Sequence, residues 1–299
     1  MKLNPYQNQA SLLLQMLPEV GKEDRLALSG GTAINLFIRE MPRLSVDIDL
    51  TYIPIEDRQS SLKGIKDALT NVKINIQRAF ETIRVDDRTD SGKLYVVSDA
   101  ARIKIEVNLI NRGVLGTVEA RGLCTAAQEA FQSFTENNVI PFGQLFGSKL
   151  CAALDRQHPR DLFDVRYLLD GQRFSREVMA GLILALISNG RPTNELLDPN
   201  NLDQMEAFNK HFVGMAMEPF SYEDFEDTRD RMLKMIRNLL TKDDREFIVS
   251  ICRLDPRWDI YRFHEFPAVQ WKLQNLRKLL ATDPSKYTVQ LNKLESLLG

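Results

Sequence analysis

The chain has 299 residues, of which 43% are hydrophobic and 27% are charged, as is typical of a folded soluble protein. Its 39 basic residues nearly balance its 41 acidic ones, and the formal net charge of −2 excludes a generally basic nucleic-acid binder. Any polyanion must therefore bind to a local patch. The three cysteines form no Cys-x-x-Cys pair, so we expect no disulfide framework, no thiolate zinc site and a cytoplasmic location.

Apolar periodicity predicts a mixture of helices and strands in the first part of the chain. In chain order, it predicts helices over 5–20, 33–38 and 57–70 and strands over 26–29, 46–53, 93–98 and 102–109. The last two strands are close enough in sequence to form a hairpin that turns at Asp99-Ala100. This part of the chain therefore predicts a mixed sheet with helices.

From about residue 120 onwards the strand signals fade, and helical periodicity interrupted by prolines takes over. The longest apolar run, over 178–187, is too short to cross a bilayer, so it predicts a buried helix and no membrane partner. The expected fold class is α+β with two domains. Residues 1–120 would form the mixed-sheet domain, and residues 121–299 would form a helical domain.

Two carboxylates on the predicted strand over 46–53 are the first candidates for chemistry. Residues two apart on a strand point to the same face with Cα atoms roughly 6.5 Å apart, so Asp47 and Asp49 point in one direction. Carboxylates together with substrate phosphates are the ligands that Mg²⁺ prefers. The alternative is an ordinary solvated strand face.

A glycine pair precedes these acids, where a strand is expected to give way to a helix. Gly30 and Gly31 would let backbone amides approach phosphate oxygens without a Cβ in the way. Ser29, Thr32 and Ser45 add hydroxyl donors nearby in the sequence. These five residues are therefore candidates for binding a nucleotide, although a Gly-Gly pair alone is usually only a turn.

The combined pattern Gly30-Gly31-(x)13-Ser45-x-Asp47-x-Asp49 resembles the first motif of the nucleotidyltransferase superfamily. Its setting, Arg43-Leu-Ser-Val-Asp-Ile-Asp-Leu50, resembles the AbiEii/AbiGii toxin family, which includes the MenT-like toxins of type IV toxin–antitoxin and phage-abortive-infection pairs. The resemblance implies a polymerase-beta-like nucleotidyltransferase domain at the N-terminus. It also implies that the helical domain completes the active-site cleft.

Glu106 lies on the predicted strand over 102–109, where the superfamily usually keeps a third carboxylate. The resemblance therefore implies that Glu106 is a third metal ligand beside Asp47 and Asp49. Family members commonly have the shorter Asp near this place. The alternative is an exposed charge on a half-buried strand.

The third block of resemblance lies in the helical half of the chain. Lys149 falls on an apolar helical stripe, where an ammonium needs a partner or must extend to solvent. Asp161 and Asp164 share one helix face after Pro159. The family motif, a lysine followed by Arg-Asp-x-x-Asp, implies that Lys149 contacts the nucleoside triphosphate. It also implies that Asp161 or Asp164 holds the lysine or acts as the base; otherwise Asp161 is an ordinary acid at a helix start.

The function implied by the resemblance is that of a toxin enzyme. It would transfer a nucleoside monophosphate from an NTP to an acceptor, above all the 3′ end of tRNA or another RNA, with Mg²⁺ or Mn²⁺ as cofactor. The antitoxin would be encoded next door, with or without stable contact. The alternatives are an acceptor that is an antibiotic-like small molecule or a protein, or a nucleotide-binding regulator without turnover.

An RNA acceptor would need cations near the acids. The candidates are Arg43, Arg156, Arg160 and the segment Arg253–Arg262, which mixes arginines with aromatic side chains. The alternative for that segment is a piece of hydrophobic core with a charged rim.

Overall fold

A computed structural model describes residues 5–171 and 174–299 of the chain. It divides into two compact units, the first formed by Met1–Pro141 with Asn209–Phe220 and the second by Phe142–Phe208 with Ser221–Gly299. The first four residues of the predicted N-terminal domain lie outside the described residues. The predicted boundary between residues 120 and 121 falls within a β-strand of the first unit, Glu119–Gly122.

The first unit contains a mixed sheet with helices. In chain order its elements are α1 Pro5–Gly21, β1 Leu26–Ser29, α2 Gly30–Ala33 continued by a π-helix over Ile34–Ile38, β2 Asp47–Tyr52, α3 Arg58–Ala79, β3 Arg84–Arg88, β4 Lys93–Val97, β5 Arg102–Val107, β6 Glu119–Gly122, α4 Thr125–Phe131 and β7 Glu136–Val139. The sheet order is β3-β4-β5-β2-β1-β7-β6. Two neighbouring pairs, β2 with β5 and β1 with β7, are parallel, and the rest are antiparallel. The predicted mixed sheet is confirmed.

Three of the seven strands, β3, β6 and β7, were not expected from the sequence, and α3 runs nine residues beyond its predicted end at residue 70. Helix α1, predicted over 5–20, spans Pro5–Gly21 and continues through Pro18. The hairpin of β4 and β5 is confirmed, with the Ser98 amide donating to the Ala101 carbonyl across the turn. The three unexpected strands are short segments with few apolar residues to reveal their period.

The two faces of the sheet differ because side chains alternate along each strand. Helix α3 contacts β3 and β4, and α1 contacts β1 and β5. Most apolar side chains of the strands are buried, and Ile48, Leu94 and Ile105 are fully so. The alternate positions carry polar side chains, including Asp47 and Asp49, which keep partial access to solvent. The sequence alternation thus places the acid pair on the polar face.

A distant segment joins the first unit through backbone pairing. Met215 accepts a hydrogen bond from the Leu44 amide at 2.9 Å, and the Met217 amide donates to the Pro42 carbonyl at 2.9 Å. Arg43 and Ala216 form an antiparallel bridge between the two. These contacts hold the loop that leads into β2, and no motif in the sequence indicates them.

The second unit is helical. Its elements are α5 Phe142–Arg156, α6 Pro159–Asp170, α7 Arg176–Ser188, α8 Thr193–Leu197, α9 Met205–His211 (shared with the first unit), α10 Tyr222–Leu239, α11 Lys242–Cys252, α12 Pro267–Thr282 and α13 Pro284–Leu298. The apolar run over 178–187 lies within α7 and is mostly buried, as predicted. Across the described residues, no helix is both long and apolar enough to span a bilayer.

Candidate active site

The glycine pair forms the junction between β1 and α2. Gly30 adopts φ +62°, in the left-handed region that glycine occupies without the cost that a side chain would bring. The Asp49 carboxylate occupies the position that a Cβ of residue 30 would take, so any side chain at Gly30 would collide with it. Gly31 is packed just as tightly, because a Cβ there would lie 2.5 Å from Nη2 of Arg43. The turn therefore needs glycines for conformation and for the close approach of functional side chains.

The hydroxyls of Thr32 and Ser45 lie inside the protein. Thr32 is fully buried, and its Oγ1 lies 2.7 Å from Oγ of Ser45 and donates to the Asp47 carbonyl at 2.5 Å. Ser45 is only 4% exposed. In this arrangement the two residues fix the backbone at the start of β2, and so they set the position from which Asp47 projects.

The acid pair lies on β2 with two neighbours in register on β5. Asp47 is opposite Lys104, and Asp49 is opposite Glu106, in a parallel pairing. All four side chains are partly exposed and lie on one face of the sheet, because they alternate along the strands with residues that are buried on the other face. The structure therefore brings the three predicted acids, Asp47, Asp49 and Glu106, to one part of the sheet.

Glu106 is held by two lysines. Its carboxylate lies 3.1 Å from Nζ of Lys93 and 2.5 Å from Nζ of Lys104. Burial alone would raise the pKa of Glu106, but the two ammonium groups outweigh it and lower the pKa. Burial likewise disfavours the Lys104 ammonium, but Glu106 and the nearby aspartates raise its pKa. Glu106 is thus ionised and engaged on both oxygens.

The chemistry of the donors suits a hard cation bound by two carboxylates. Among the described residues, no cluster of three or more His, Cys, Asp or Glu side chains is arranged to hold a metal ion. Asp47 and Asp49 together offer carboxylate oxygens from one face, and Mg²⁺ usually completes its coordination shell with substrate phosphates and water. The residues therefore fit a metal that arrives with its nucleotide.

The second unit carries the other predicted side chains in a compact buried cluster. Nζ of Lys149, on α5, lies 2.9 Å from Oδ1 of Asp161 and 3.0 Å from Oδ2 of Asp164, both on α6. Lys149 is 7% exposed and each aspartate 1%. Arg156 also binds Asp161, donating from Nε at 2.6 Å and from Nη2 at 3.0 Å. The lysine on the apolar stripe is therefore a paired residue and does not extend to solvent.

Local sequence explains how α5 and α6 hold this cluster. Pro159 occupies the first turn of α6, and Nδ1 of His158 accepts a hydrogen bond from the Arg160 amide. On α5, Gly143 and Gly147 lie so close to the backbone of α7 that added Cβ atoms would strike it. The tight α5–α7 packing fixes the axis from which Lys149 projects, and sequence reasoning did not foresee it.

The opposing charges set the ionisation of Asp161. Burial would raise the pKa of its carboxyl, but Lys149 and Arg156 together hold the pKa well below its usual range. A carboxylate tied to two cations is a poor proton acceptor. Its geometry suits positioning Lys149 and leaves Asp164 as the other candidate for the role of base.

The cations suggested for RNA contacts are mostly engaged elsewhere. Arg43 is 3% exposed, and its Nη1 donates to the Leu44 carbonyl. Arg257 pairs with Glu246 and Asp259. The aromatic side chains of the same segment pack on one buried ring: they are Trp258, Tyr261 and Phe263, with centroids 6.0, 5.0 and 5.9 Å from Phe247. This segment has the arrangement of core with a charged rim.

Comparison with known proteins gives two findings. Residues 11–275 match the family described as nucleotidyl transferase AbiEii toxin, type IV TA system. The structure is similar to that of MenT4, a nucleotidyltransferase toxin from Mycobacterium tuberculosis H37Rv, with a TM-score of 0.62 and 15% sequence identity. That similarity covers 91% of this chain and 93% of the other. A search of the curated proteins gave no match.

Proposed function

Because the chain belongs to the AbiEii nucleotidyltransferase toxin family of type IV toxin–antitoxin systems, we infer that it transfers a nucleoside monophosphate from an NTP to the 3′ end of a tRNA. The observation that carries this inference is the placement of Asp47 and Asp49 on one partly exposed sheet face, with Asp49 against the Gly30 turn. The acceptor hydroxyl forms a bond to the α-phosphorus and pyrophosphate leaves, so the 3′ end of the tRNA is blocked by the added nucleotide and translation would stop.

Asp47 and Asp49 would hold Mg²⁺, or Mn²⁺ in its place. When bound, the metal would supply neutralisation of the charge on the phosphates. Gly30 and Gly31 contribute backbone amides at a turn without side chains, and Ser29 adds a hydroxyl beside them. Thr32 and Ser45 support this nucleotide site indirectly, because their hydrogen bonds fix the backbone at the start of β2. Catalysis by such a site is mainly positioning and charge stabilisation.

Lys149 would contact the triphosphate, as the family motif implies. We assign different roles to Asp161 and Asp164 because their partners differ. Asp161, bound by Lys149 and Arg156, orients the lysine. Asp164, bound by Lys149, is the residue that we assign to the acceptor hydroxyl.

The test is incubation of the protein with each α-labelled NTP, Mg²⁺ and total bacterial RNA. We expect label on tRNA from the wild type and none from Asp47→Ala or Asp49→Ala. Asp90→Ala is a matched control, because Asp90 is an exposed acid in the same unit and pairs with an exposed lysine, Lys66. Absence of label with every NTP would refute the proposal. Label on protein or on an aminoglycoside instead of RNA would reassign the acceptor.

Toxicity gives a second measurement on cells. Expression of the wild type alone should arrest growth, while Asp49→Ala should grow like the empty vector. A type IV system implies an antitoxin, which we expect to be encoded next to the toxin. Co-expression of that neighbour should restore growth, and pull-down would then show whether it acts through stable contact. Equal growth of wild type and Asp49→Ala would contradict the toxin role.

A further inference from the structure

The polar face of β3, β4 and β5 carries cations that the proposed chemistry does not use. Residues opposite each other in a sheet share a face, so the register places Arg88, Lys93 and Glu106 in one row that leads to Asp49. The next row runs from Asp86 through Tyr95 and Lys104 to Asp47, and a third joins Arg84, Val97 and Arg102. We call five of these residues the basic strip: Arg84, Arg88, Lys93, Arg102 and Lys104.

The basic strip reverses the charge balance of the chain. Its five cations share this face of the three strands with only two acids, Asp86 and Glu106, whereas the whole chain has a net charge of −2. The opposite face of the same strands is apolar and buried, with contacts to α1 and α3, except for the exposed Asp87 on the edge strand. Segregation of cations on one partly exposed face is the footprint of a polyanion-binding surface.

The strip also has cations to offer. Arg84 is exposed and lies 3.1 Å from Asp86 in a surface pair that costs little to break. Arg88 and Arg102 are exposed, and no ion pair of theirs is found within residues 5–171 and 174–299. Lys93 and Lys104 share the single charge of Glu106. Three arginines are therefore available to a ligand without loss of a buried contact.

Its length suits a short stretch of nucleic acid. Neighbouring strands lie about 4.8 Å apart, so the distance from β2 to the edge strand β3 is about 14 Å. Successive phosphates of one strand lie about 3.4 Å apart along a stacked helix axis, which corresponds to about four nucleotides. Arg102 lies over the Tyr95 ring, 4.3 Å from its centroid. Arginine planes and aromatic rings are the groups on which unpaired bases stack.

We propose that the basic strip binds the phosphodiester backbone of a single-stranded RNA end and leads that end to Asp47 and Asp49. The proposal deepens the proposed function and rests on it, since it assigns the acceptor to this surface. Arg84, Arg88 and Arg102 bind phosphates towards the sheet edge. Lys104 lies directly opposite Asp47 and binds the phosphate nearest to the acids.

The test is fluorescence anisotropy of a labelled short single-stranded RNA with the full chain, without NTP, over a salt series. The variant combines Arg84→Gln, Arg88→Gln and Arg102→Gln, which are exposed and outside the proposed catalytic residues. Three lost phosphate contacts should reduce the slope of log K against log salt by about 2. Between about 50 and 200 mM salt, wild-type affinity should therefore fall about 20-fold more than that of the variant.

The matched control combines Lys63→Gln, Lys66→Gln and Arg78→Gln, which remove the same charge from exposed positions on α3. It should keep the wild-type slope. An unchanged slope in the strip variant, or an equal loss in the α3 control, would overturn the proposal. Because no NTP is present, the result is independent of transfer activity. If the wild type transfers label but the strip variant keeps the wild-type slope, the RNA-binding role of the basic strip alone is refuted. If RNA binding depends on the strip but no transfer occurs, the proposed function is refuted and the RNA-binding surface stands.

Discussion

Replacing Lys149 by methionine should destabilise the protein strongly and should do so through its aspartates. The side chain is 7% exposed and lies within 3.0 Å of both Asp161 and Asp164, each 1% exposed. Removing one partner of a buried ion pair costs about 3–5 kcal/mol, because the remaining charge stays buried. Arg156 continues to compensate Asp161, so most of this cost should arise at Asp164.

A double-mutant cycle isolates that cost. Asp164→Asn alone leaves Lys149 paired with Asp161 and should cost about 1–3 kcal/mol. Combining it with Lys149→Met removes both charges, so the double variant should be more stable than the sum of the two changes predicts, by about 1–3 kcal/mol. Urea unfolding of the full chain, monitored by circular dichroism, measures the free energy of unfolding of the wild type, the two single variants and the double variant. Additive free energies would refute the argument that the buried charge is the cause.

The single variant Lys149→Met, assayed at a temperature where it remains folded, separates a structural from a catalytic lysine because it keeps Asp164. If Lys149 serves only to hold α5 against α6, this folded variant should keep its transfer activity. If Lys149 contacts the triphosphate, activity should be lost although the protein is folded. We expect the second result.

Three further predictions concern single sites. Gly30→Ala should cost about 1–2 kcal/mol for its left-handed φ and abolish transfer by displacing the Asp49 carboxylate, whereas Gly190→Ala, which has open space around it, should do neither; thermal unfolding and the labelling assay measure both. The pKa of Asp161 is lowered in the folded state, so ionised Asp161 stabilises the fold fully above the unfolded pKa of about 3.9, and this stabilisation is lost as the pH falls below that value. Asp161→Asn should therefore reduce the loss of stability at acid pH. An unchanged dependence of stability on acid pH would contradict this. Glu106→Gln should leave the Mg²⁺ concentration for half-maximal transfer unchanged, since the lysines occupy both carboxylate oxygens; a several-fold rise would assign Glu106 to the metal.

Much of the first unit could be predicted because its central strands alternate cleanly. Val46 to Ile53 shows the period of two that buries Ile48 and Leu50 and leaves Asp47 and Asp49 accessible, and the structure has β2 within this range. The strands that escaped prediction are short and rich in polar residues. Of the five residues in β3, only Val85 is apolar, because an edge strand needs to bury little.

The partners of the predicted side chains were harder to foresee than their positions. Lys149, Asp161 and Asp164 were selected by a motif, but nothing in the spacing showed that the lysine would meet both acids and that Arg156 would join them. Likewise, Glu106 is held by Lys93 only through the register of the β4–β5 hairpin. Such contacts depend on tertiary geometry, whereas faces of strands and helices follow from local periodicity.

The sheet register resolves the apparent conflict between a near-neutral chain and the polyanionic acceptor that we propose for it. Strand alternation sends most apolar residues of β2–β5 to one face and gathers most of their charges on the other. On that face the parallel pairing of β2 with β5 puts Asp47 beside Lys104 and Asp49 beside Glu106. Acids that we propose as metal ligands thus lie next to cations that we propose for binding phosphates, at the spacing of adjacent strands. A shift of β5 by one residue would turn Lys104 and Glu106 into the core and remove this arrangement, so the buried Ile103 and Ile105 fix the chemistry of the surface as firmly as they fix the fold.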